Sequence, residues 1–200
     1  VCRYRQSFNG LFGTKLLIGR YKHVRKNYGK KCKIRVASYR YKHYCYYRPY
    51  HIEEGEKIVS SNPDNIVIVD EAYIDFSSVP SMVELIDQYP NLIVLQTLSK
   101  AYGLAGLRMG LAFAEECIIR LFEQVKYPYN IGADTLALAQ RLLEVDITPQ
   151  VQTLIAERKR VAAALAELPF VAKVSPSDAN FLLVKTEHPR ELYDYLIARE

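Results

Sequence analysis

Two short apolar runs lie in the middle of the chain, and each leads into polar residues. Residues 66–69 read Ile-Val-Ile-Val and end at Asp70, while the run at residues 92–95 continues through Gln-Thr-Leu to Ser99 and Lys100. Continuous aliphatic runs of this kind are typical of strands buried on both faces of a parallel sheet. Because open α/β sheets bind ligands at the carboxyl ends of their strands, Asp70 and Lys100 are predicted to lie at a ligand-binding edge.

The rest of the chain after residue 51 alternates helical and extended patterns, which predicts an α/β fold. A helix is predicted over residues 52–61, and the capping-box pattern of Ser81 with Glu84 predicts another to about residue 88. The order of strand, helix and strand implies a parallel pair with a right-handed crossover. The other predicted elements are a strand at 109–114, helices at 115–126, 133–145 and 148–168 with Thr148 as N-cap, strands at 171–175 and 181–185, and a helix from Pro189.

Residues 99–110 place candidate chemistry on a glycine-rich turn. Lys100 offers an amine that can form a Schiff base, and Arg108 offers a fork of donors for a phosphate. Asp70, on the neighbouring strand, offers a carboxylate for a ring nitrogen. A lone lysine or a glycine turn usually has no such role, so the prediction depends on their joint occurrence. Together these groups meet the requirements of pyridoxal phosphate.

The sequences S-K-A-Y-G-L-A-G-L-R-M-G at residues 99–110 and V-D-E-A-Y-I-D-F at residues 69–76 resemble the fold-type I aminotransferases. Among these, the resemblance is greatest to the histidinol-phosphate aminotransferases, and it covers about residues 52–200. It implies an α/β fold of the fold-type I, pyridoxal-phosphate-dependent class, with a mostly parallel sheet in a large domain and the start of a smaller α/β domain.

The resemblance implies a role for five residues. Lys100 would bind the cofactor as a Schiff base and then act as the base that moves a proton. Asp70 would keep the pyridine nitrogen protonated, and Tyr73 would donate to the phenolic oxygen of the cofactor. Ser99 and Arg108 would hold its phosphate.

Other residues near these motifs receive no catalytic role. Glu71 and Asp75 are expected to be structural or exposed, and Tyr102 is expected to pack. Residues 127–130 and 177–181 match positions where the family lines its cleft, but ordinary loop structure explains them equally well.

The implied activity is transfer of an amino group between histidinol phosphate and 2-oxoglutarate in histidine biosynthesis, by a cytoplasmic homodimer. Its partners would be a small amino donor and a 2-oxo acid. The sequence leaves open another class I/II aminotransferase or a threonine-phosphate decarboxylase, which share the lysine and aspartate strands.

The first fifty residues differ sharply from the rest. They contain fourteen Lys and Arg and no Asp or Glu, whereas residues 51–200 contain 13 basic and 22 acidic side chains. The chain is therefore interpreted in three parts. Residues 1–50 form an atypical basic, tyrosine-rich segment, residues 51–150 part of the cofactor-binding large domain, and residues 151–200 a crossover helix and the start of the small domain.

Three explanations of residues 1–50 compete. The tyrosines and basic residues interleave at positions 39–48, as in a nucleic-acid-binding arm, which would make the chain a catalytically inactive binding protein. The segment could also be a surface extension. The third explanation is translation in a shifted reading frame up to about His51. It is favoured because the family's N-P-N-N-P-T-G loop is missing from this segment. The chain also stops at Glu200, so the copy is expected to be incomplete. Nucleic acid is thus not the expected partner.

Metal and membrane binding are not expected from the sequence. The four cysteines contain no C-x-x-C pair, and His23, His43, His51 and His188 are scattered, so no metal site is predicted. The apolar runs are too short to span a bilayer, and the beginning of the chain lacks the layout of a signal peptide.

Overall fold

The computed structural model describes residues 52–127 and 130–199, together with the backbone of residues 17–19. Five helices and six strands are described, and three short 3₁₀ helices lie between them. In chain order the helices and strands are β1 (Leu17–Gly19), α1 (Ile52–Ser60), β2 (Val67–Asp70), β3 (Leu92–Thr97), β4 (Gly110–Ala114), α2 (Glu116–Val125), α3 (Ala133–Leu143), α4 (Thr148–Ala166), β5 (Val171–Val174), β6 (Val184–Thr186) and α5 (Pro189–Ile197).

The larger sheet has the strand order β1-β4-β3-β2. Strands β2 and β3 are parallel, with Val67 opposite Leu92 and Asp70 opposite Leu95, as the two apolar runs predicted. Strand β4 runs antiparallel to β3, which places Thr97 opposite Gly110. The α/β fold class is confirmed, and the described part of the sheet combines parallel and antiparallel pairs.

Apolar groups cover both faces of β3, which explains its unbroken aliphatic sequence. Val94 packs in one cluster with Val59 of α1. On the other face, Ile93 packs with Ile119 of α2. A strand covered on both faces gains no advantage from alternating polar and apolar residues, because side chains on either face pack against apolar groups.

Three predicted elements differ from the structure. The helix predicted from Ser81 to about residue 88 is a 3₁₀ helix over Met82–Leu85. Val83 N–H donates to Ser81 Oγ at 3.1 Å, as in a cap. However, Met82 N–H donates to the Glu71 carboxylate at 2.8 Å, and Glu84 is exposed. The carboxylate of Glu71, which is distant in the sequence, thus accepts a backbone N–H at the start of this helix, where the capping box would have used Glu84.

The strand predicted at 181–185 is limited to Val184–Thr186. Ser177 Oγ donates to the Phe181 carbonyl at 2.6 Å, so the chain before β6 bonds to its own loop and does not pair as a strand. The predicted cap of α4 is also wrong in detail. Thr148 is the first helical residue, and its N–H donates to Asp146 Oδ1 at 3.0 Å.

The second sheet pairs β5 with β6 in antiparallel fashion. Helix α4 packs against β5 and also against the 3₁₀ helix Ile74–Phe76, which follows β2. Because of this double contact, α4 joins the smaller sheet to the end of the larger sheet where Asp70 lies.

A membrane-spanning helix would have to be long and apolar. Within residues 52–127 and 130–199, no helix has the length and apolar character needed to cross a membrane.

Candidate functional site

The carboxyl ends of β2 and β3 form one edge of the larger sheet. Glu71 N–H donates to the Leu95 carbonyl at 2.7 Å, which continues the strand pairing one residue past Asp70. The Asp70 carboxylate is exposed, and its Oδ1 accepts the N–H of Ala72 at 3.1 Å. This short-range bond orients the carboxylate while it remains accessible to a ligand.

Lys100 lies on a turn that begins from a fully buried residue. Leu98 is 0 % exposed, and its carbonyl accepts the N–H of Leu104 at 2.9 Å. Gly103 N–H closes the turn on the Lys100 carbonyl at 3.1 Å, with a φ of +65° that favours glycine. Ser99 N–H donates to Thr97 Oγ1 at 3.1 Å. The turn is thus fixed at its base, while the Lys100 side chain is exposed.

Arg108 has an uncommon backbone conformation. Its φ of 53° places it in the left-handed region, at the end of the 3₁₀ helix Ala105–Leu107. The guanidinium is exposed, and Nη1 donates to the Ala105 carbonyl at 3.0 Å. Non-glycine residues rarely adopt this conformation, and such strain is concentrated at functional sites.

Tyr73 brings the two parts of the site together. Lys100 Nζ lies 5.1 Å from the centroid of the Tyr73 ring, within the range of a cation–π contact. The Tyr73 ring also meets Phe181 edge to face, with 5.3 Å between centroids and 80° between planes. The structure therefore brings Tyr73 close to Lys100 and places Asp70 at the same sheet edge, whereas the Arg108 guanidinium contacts its own turn.

Glu71 carries more of the local structure than its motif indicated. Its side chain is buried, with 1 % exposure. The carboxylate accepts Ser81 Oγ–H at 2.6 Å, Met82 N–H at 2.8 Å and Gln96 Nε2 at 2.7 Å. These bonds join the ends of β2 and β3 to the 3₁₀ helix Met82–Leu85, which lies between the two strands in the chain. The structural interpretation of Glu71 agrees with this network. Tyr102 packs against the hydrophobic core, as expected.

Two residues that contact the candidate site or its surroundings were not predicted from the sequence. Arg158 on α4 donates from Nη1 to the Ala179 carbonyl at 2.7 Å. Phe181 lies within a stretch noted for its cleft position, but its contact with Tyr73 was not foreseen. Neither contact has a local sequence pattern, because the partners are distant in the chain.

One shifted pKa belongs to a residue at the opposite edge of the larger sheet. Tyr89 donates its hydroxyl to Glu56 Oε1 at 2.7 Å, and this bond raises the pKa of Tyr89. Tyr89 precedes β3 and is therefore at the amino end of that strand, the edge opposite Asp70. This bond joins α1 to the larger sheet and takes no part in the candidate site.

The comparisons with known proteins identify the class. Residues 50–200 match the family described as aminotransferase class I and II. Within these residues, Asp70 ends β2, and Lys100 lies on the turn after the neighbouring parallel strand β3. The chain belongs to the class I and II aminotransferases, a family that depends on pyridoxal phosphate.

Individual relatives show which members of this family the chain resembles. The histidinol-phosphate aminotransferase of Parabacteroides distasonis is 46% identical over 143 residues, which cover 70% of this chain and 41% of that relative. The structure of the Clostridium acetobutylicum histidinol-phosphate aminotransferase matches with a TM-score of 0.69 at 25% identity, covering 75% of this chain and 47% of that one.

A further solved structure contains the cofactor. The Sinorhizobium meliloti histidinol-phosphate aminotransferase, in complex with pyridoxal-5'-phosphate, matches with a TM-score of 0.59 at 28% identity, over 72% of this chain and 42% of that one. The chain thus spans about two fifths of the length of the curated relatives it matches.

Proposed function

We propose that this chain is the cofactor-binding part of an aminotransferase that uses pyridoxal phosphate to transfer an amino group between histidinol phosphate and 2-oxoglutarate in histidine biosynthesis. The main support is the parallel pairing of β2 with β3, which puts Asp70 and the Lys100 turn at one sheet edge. The 46% identity with a named histidinol-phosphate aminotransferase supports the substrate.

The residues present fit the cofactor. Asp70, Lys100 and Arg108 are all exposed, so a ligand can reach their charged groups. Space is open around the Gly103 and Gly106 positions, where an added Cβ would meet no atom within 4 Å. Arg108 uses one donor on Ala105, and a guanidinium has five.

When bound, pyridoxal phosphate supplies a protonated ring that withdraws electrons from the reacting carbon. The Asp70 carboxylate would hold the proton at the ring nitrogen. Lys100 Nζ would bind the cofactor's aldehyde carbon and, once displaced by the amino donor, carry the proton that is exchanged. Ser99 Oγ and the Arg108 guanidinium would bind the phosphate, and the Tyr73 hydroxyl would donate to the ring oxygen.

The domain division is part of the same proposal. Residues 51–150 would belong to the large domain, and residues 151–200 would form the crossover helix and the start of the small domain. The contacts of α4 with both β5 and the 3₁₀ helix Ile74–Phe76 support this division.

We further infer that the enzyme works as a homodimer in the cytoplasm on a small amino donor and a 2-oxo acid. Leu121 and Val125, one helical turn apart on α2, are 59% and 64% exposed. An exposed apolar strip of this kind favours an interface.

Reductive trapping tests the cofactor site. The purified chain is mixed with pyridoxal phosphate, reduced with borohydride and digested, and the labelled lysine is located by mass spectrometry. We expect a single pyridoxyl group on Lys100, lost in Lys100→Ala and kept in the exposed control Lys126→Ala. Equal labelling of several lysines, or a label retained in Lys100→Ala, would contradict the proposal.

The reaction is tested with the frame-corrected, full-length enzyme loaded with pyridoxal phosphate. Histidinol phosphate should remove the visible absorbance, and 2-oxoglutarate should restore it, because the amino group passes first to the cofactor and then to the oxo acid. Release of carbon dioxide from threonine phosphate, without a response to histidinol phosphate, would favour the decarboxylase instead. A response to other amino donors only would favour another class I/II aminotransferase.

A further inference from the structure

The loop between β5 and β6 is held in shape by its own hydrogen bonds. Ser177 Oγ donates to the Phe181 carbonyl at 2.6 Å and accepts the N–H of Ala179 at 3.1 Å. At the base of the loop, Ser175 N–H donates to the Leu183 carbonyl at 2.9 Å. The backbone that carries Phe181 therefore moves with Ala179 as one unit.

Arg158 attaches this loop to α4. Its Nη1 donates to the Ala179 carbonyl at 2.7 Å, and Ala179 is fully buried. The same nitrogen lies 3.5 Å from the Phe76 carbonyl, which is long for a hydrogen bond and makes this second contact weak. Phe76 ends the 3₁₀ helix that follows Tyr73, so Arg158 lies between the two chain segments that meet at the site.

The loop reaches the site through its aromatic ring. Phe181 meets Tyr73 edge to face at 5.3 Å, and Lys100 Nζ lies 5.1 Å from the same Tyr73 ring. A shift of the loop would therefore remove the contact between Phe181 and Tyr73, the tyrosine that lies next to Lys100.

We propose that Arg158 is a positioning residue that holds Phe181 against Tyr73 and so fixes the tyrosine beside Lys100. A charged donor on a buried carbonyl makes a stronger bond than a neutral donor, and its loss leaves that carbonyl without this partner. Lysine would keep the charge, but its ammonium lies on a flexible stem and lacks the rigid, planar geometry of the guanidinium. The proposal rests on the cofactor site proposed above.

A tryptophan reporter tests this without cofactor. The chain contains no tryptophan, so Phe181→Trp introduces a single emitter next to Tyr73. In this background Arg158→Met should shift the emission to longer wavelength and increase quenching by acrylamide. The control Arg160→Met, on the same helix in an exposed ion pair with Glu157, should change neither.

Circular dichroism of each variant separates local release from unfolding. If Arg158→Met does not fold, Arg158→Lys replaces it and should give a smaller shift in the same direction. Emission and quenching identical to the Phe181→Trp parent in a folded Arg158 variant would overturn the proposal.

A second measurement concerns Lys100. In the chain with Phe181 intact, Arg158→Met should slow the borohydride-trappable attachment of pyridoxal phosphate to Lys100, with Arg160→Met unchanged. A parent chain that attaches no cofactor would refute the cofactor site, while the tryptophan experiment would still decide the role of Arg158.

Discussion

Asp70 shows how the position of a residue at the end of a strand determines the accessibility of its side chain. It is the last residue of β2, its carboxylate is exposed, and its Oδ1 is oriented by the N–H of Ala72. The place of Asp70 at the end of a strand was foreseeable, because the apolar run before it predicted a buried strand, whereas the bond from Ala72 was not foreseen. The closeness of the Tyr73 ring to Lys100 was not, because it depends on how two separate turns pack.

Asp70→Asn should separate cofactor binding from turnover. The amide keeps the shape of the side chain but removes the charge that holds the ring proton. We expect pyridoxal phosphate to bind, and transfer from histidinol phosphate to slow by about 10²-fold, as for loss of one electrostatic stabiliser. Stopped-flow absorbance measures the rate, with the exposed Asp64→Asn as control. A near-normal rate would refute the role.

Arg108 allows backbone strain to be separated from ligand binding. Its φ of 53° costs a non-glycine residue about 1 kcal/mol, so Arg108→Gly should be more stable than Arg108→Ala by roughly that amount. Both variants lose the guanidinium and should bind pyridoxal phosphate about tenfold more weakly or worse. Urea unfolding and cofactor titration measure the two effects, and unchanged affinity in both variants would exclude Arg108 from phosphate binding.

At the scale of elements, local patterns predicted the helices and strands better than their ends. Strands β2 and β3 and the long helix α4 lie where the sequence pattern predicted them. The element after Ser81 is a 3₁₀ helix in which Ser81 Oγ still accepts the Val83 N–H. However, the Ser81 hydroxyl and the Met82 N–H both donate to the carboxylate of Glu71, at least ten residues away in sequence. Competition from a distant partner cannot be read from a capping box alone.

The Glu71 network should stabilise this junction of elements. Glu71→Ala removes the acceptor of Ser81 Oγ, Met82 N–H and Gln96 Nε2, and we expect a loss of about 3 kcal/mol in the free energy of unfolding. Glu71→Gln should lose less. Glu84→Ala, at an exposed position in the same region, should change stability by less than about 0.5 kcal/mol. Equal urea midpoints for Glu71→Ala and Glu84→Ala would contradict the network.

The start of α2 should be sensitive to acid. Hydrogen bonds with the side chain and the backbone N–H of Cys117 lower the pKa of Glu115. A lowered pKa in the folded state stabilises the protein above the carboxyl's ordinary pKa, and this contribution is lost as the pH falls through the lowered value. Glu115→Gln should therefore lower the melting temperature at neutral pH, with the difference disappearing in acid. A difference that is independent of pH would argue against this cap.

At the scale of the whole molecule, contacts across long stretches of sequence decide the site. Arg158 is 21 residues from Ala179 and 82 from Phe76, so no local pattern foretells that α4 joins the two. The motifs identified the family because they contain the residues that carry out the chemistry. The residues that hold these motifs in place are determined by packing between distant segments, which a single sequence does not show.

The unusual charge of residues 1–50 leads to a prediction about the gene. The family match begins at residue 50, where a segment with no acidic residue gives way to one with 22. Composition rarely changes so abruptly within one domain, because a folded surface mixes both charges. We expect another reading frame of the DNA upstream of the His51 codon to encode an N-P-N-N-P-T-G-like loop.

Resequencing the gene and translating all three frames provides the measurement. If no frame encodes the loop and the present frame is intact, the basic segment is genuine, and the arm hypothesis gains support. In that case a labelled oligonucleotide should bind the chain, with an affinity that falls steeply as salt rises, because basic side chains displace counterions from the phosphates. If the loop is recovered, the fourteen basic residues arise from a shifted frame, and the restored segment would supply the N-P-N-N-P-T-G loop that the family resemblance implies.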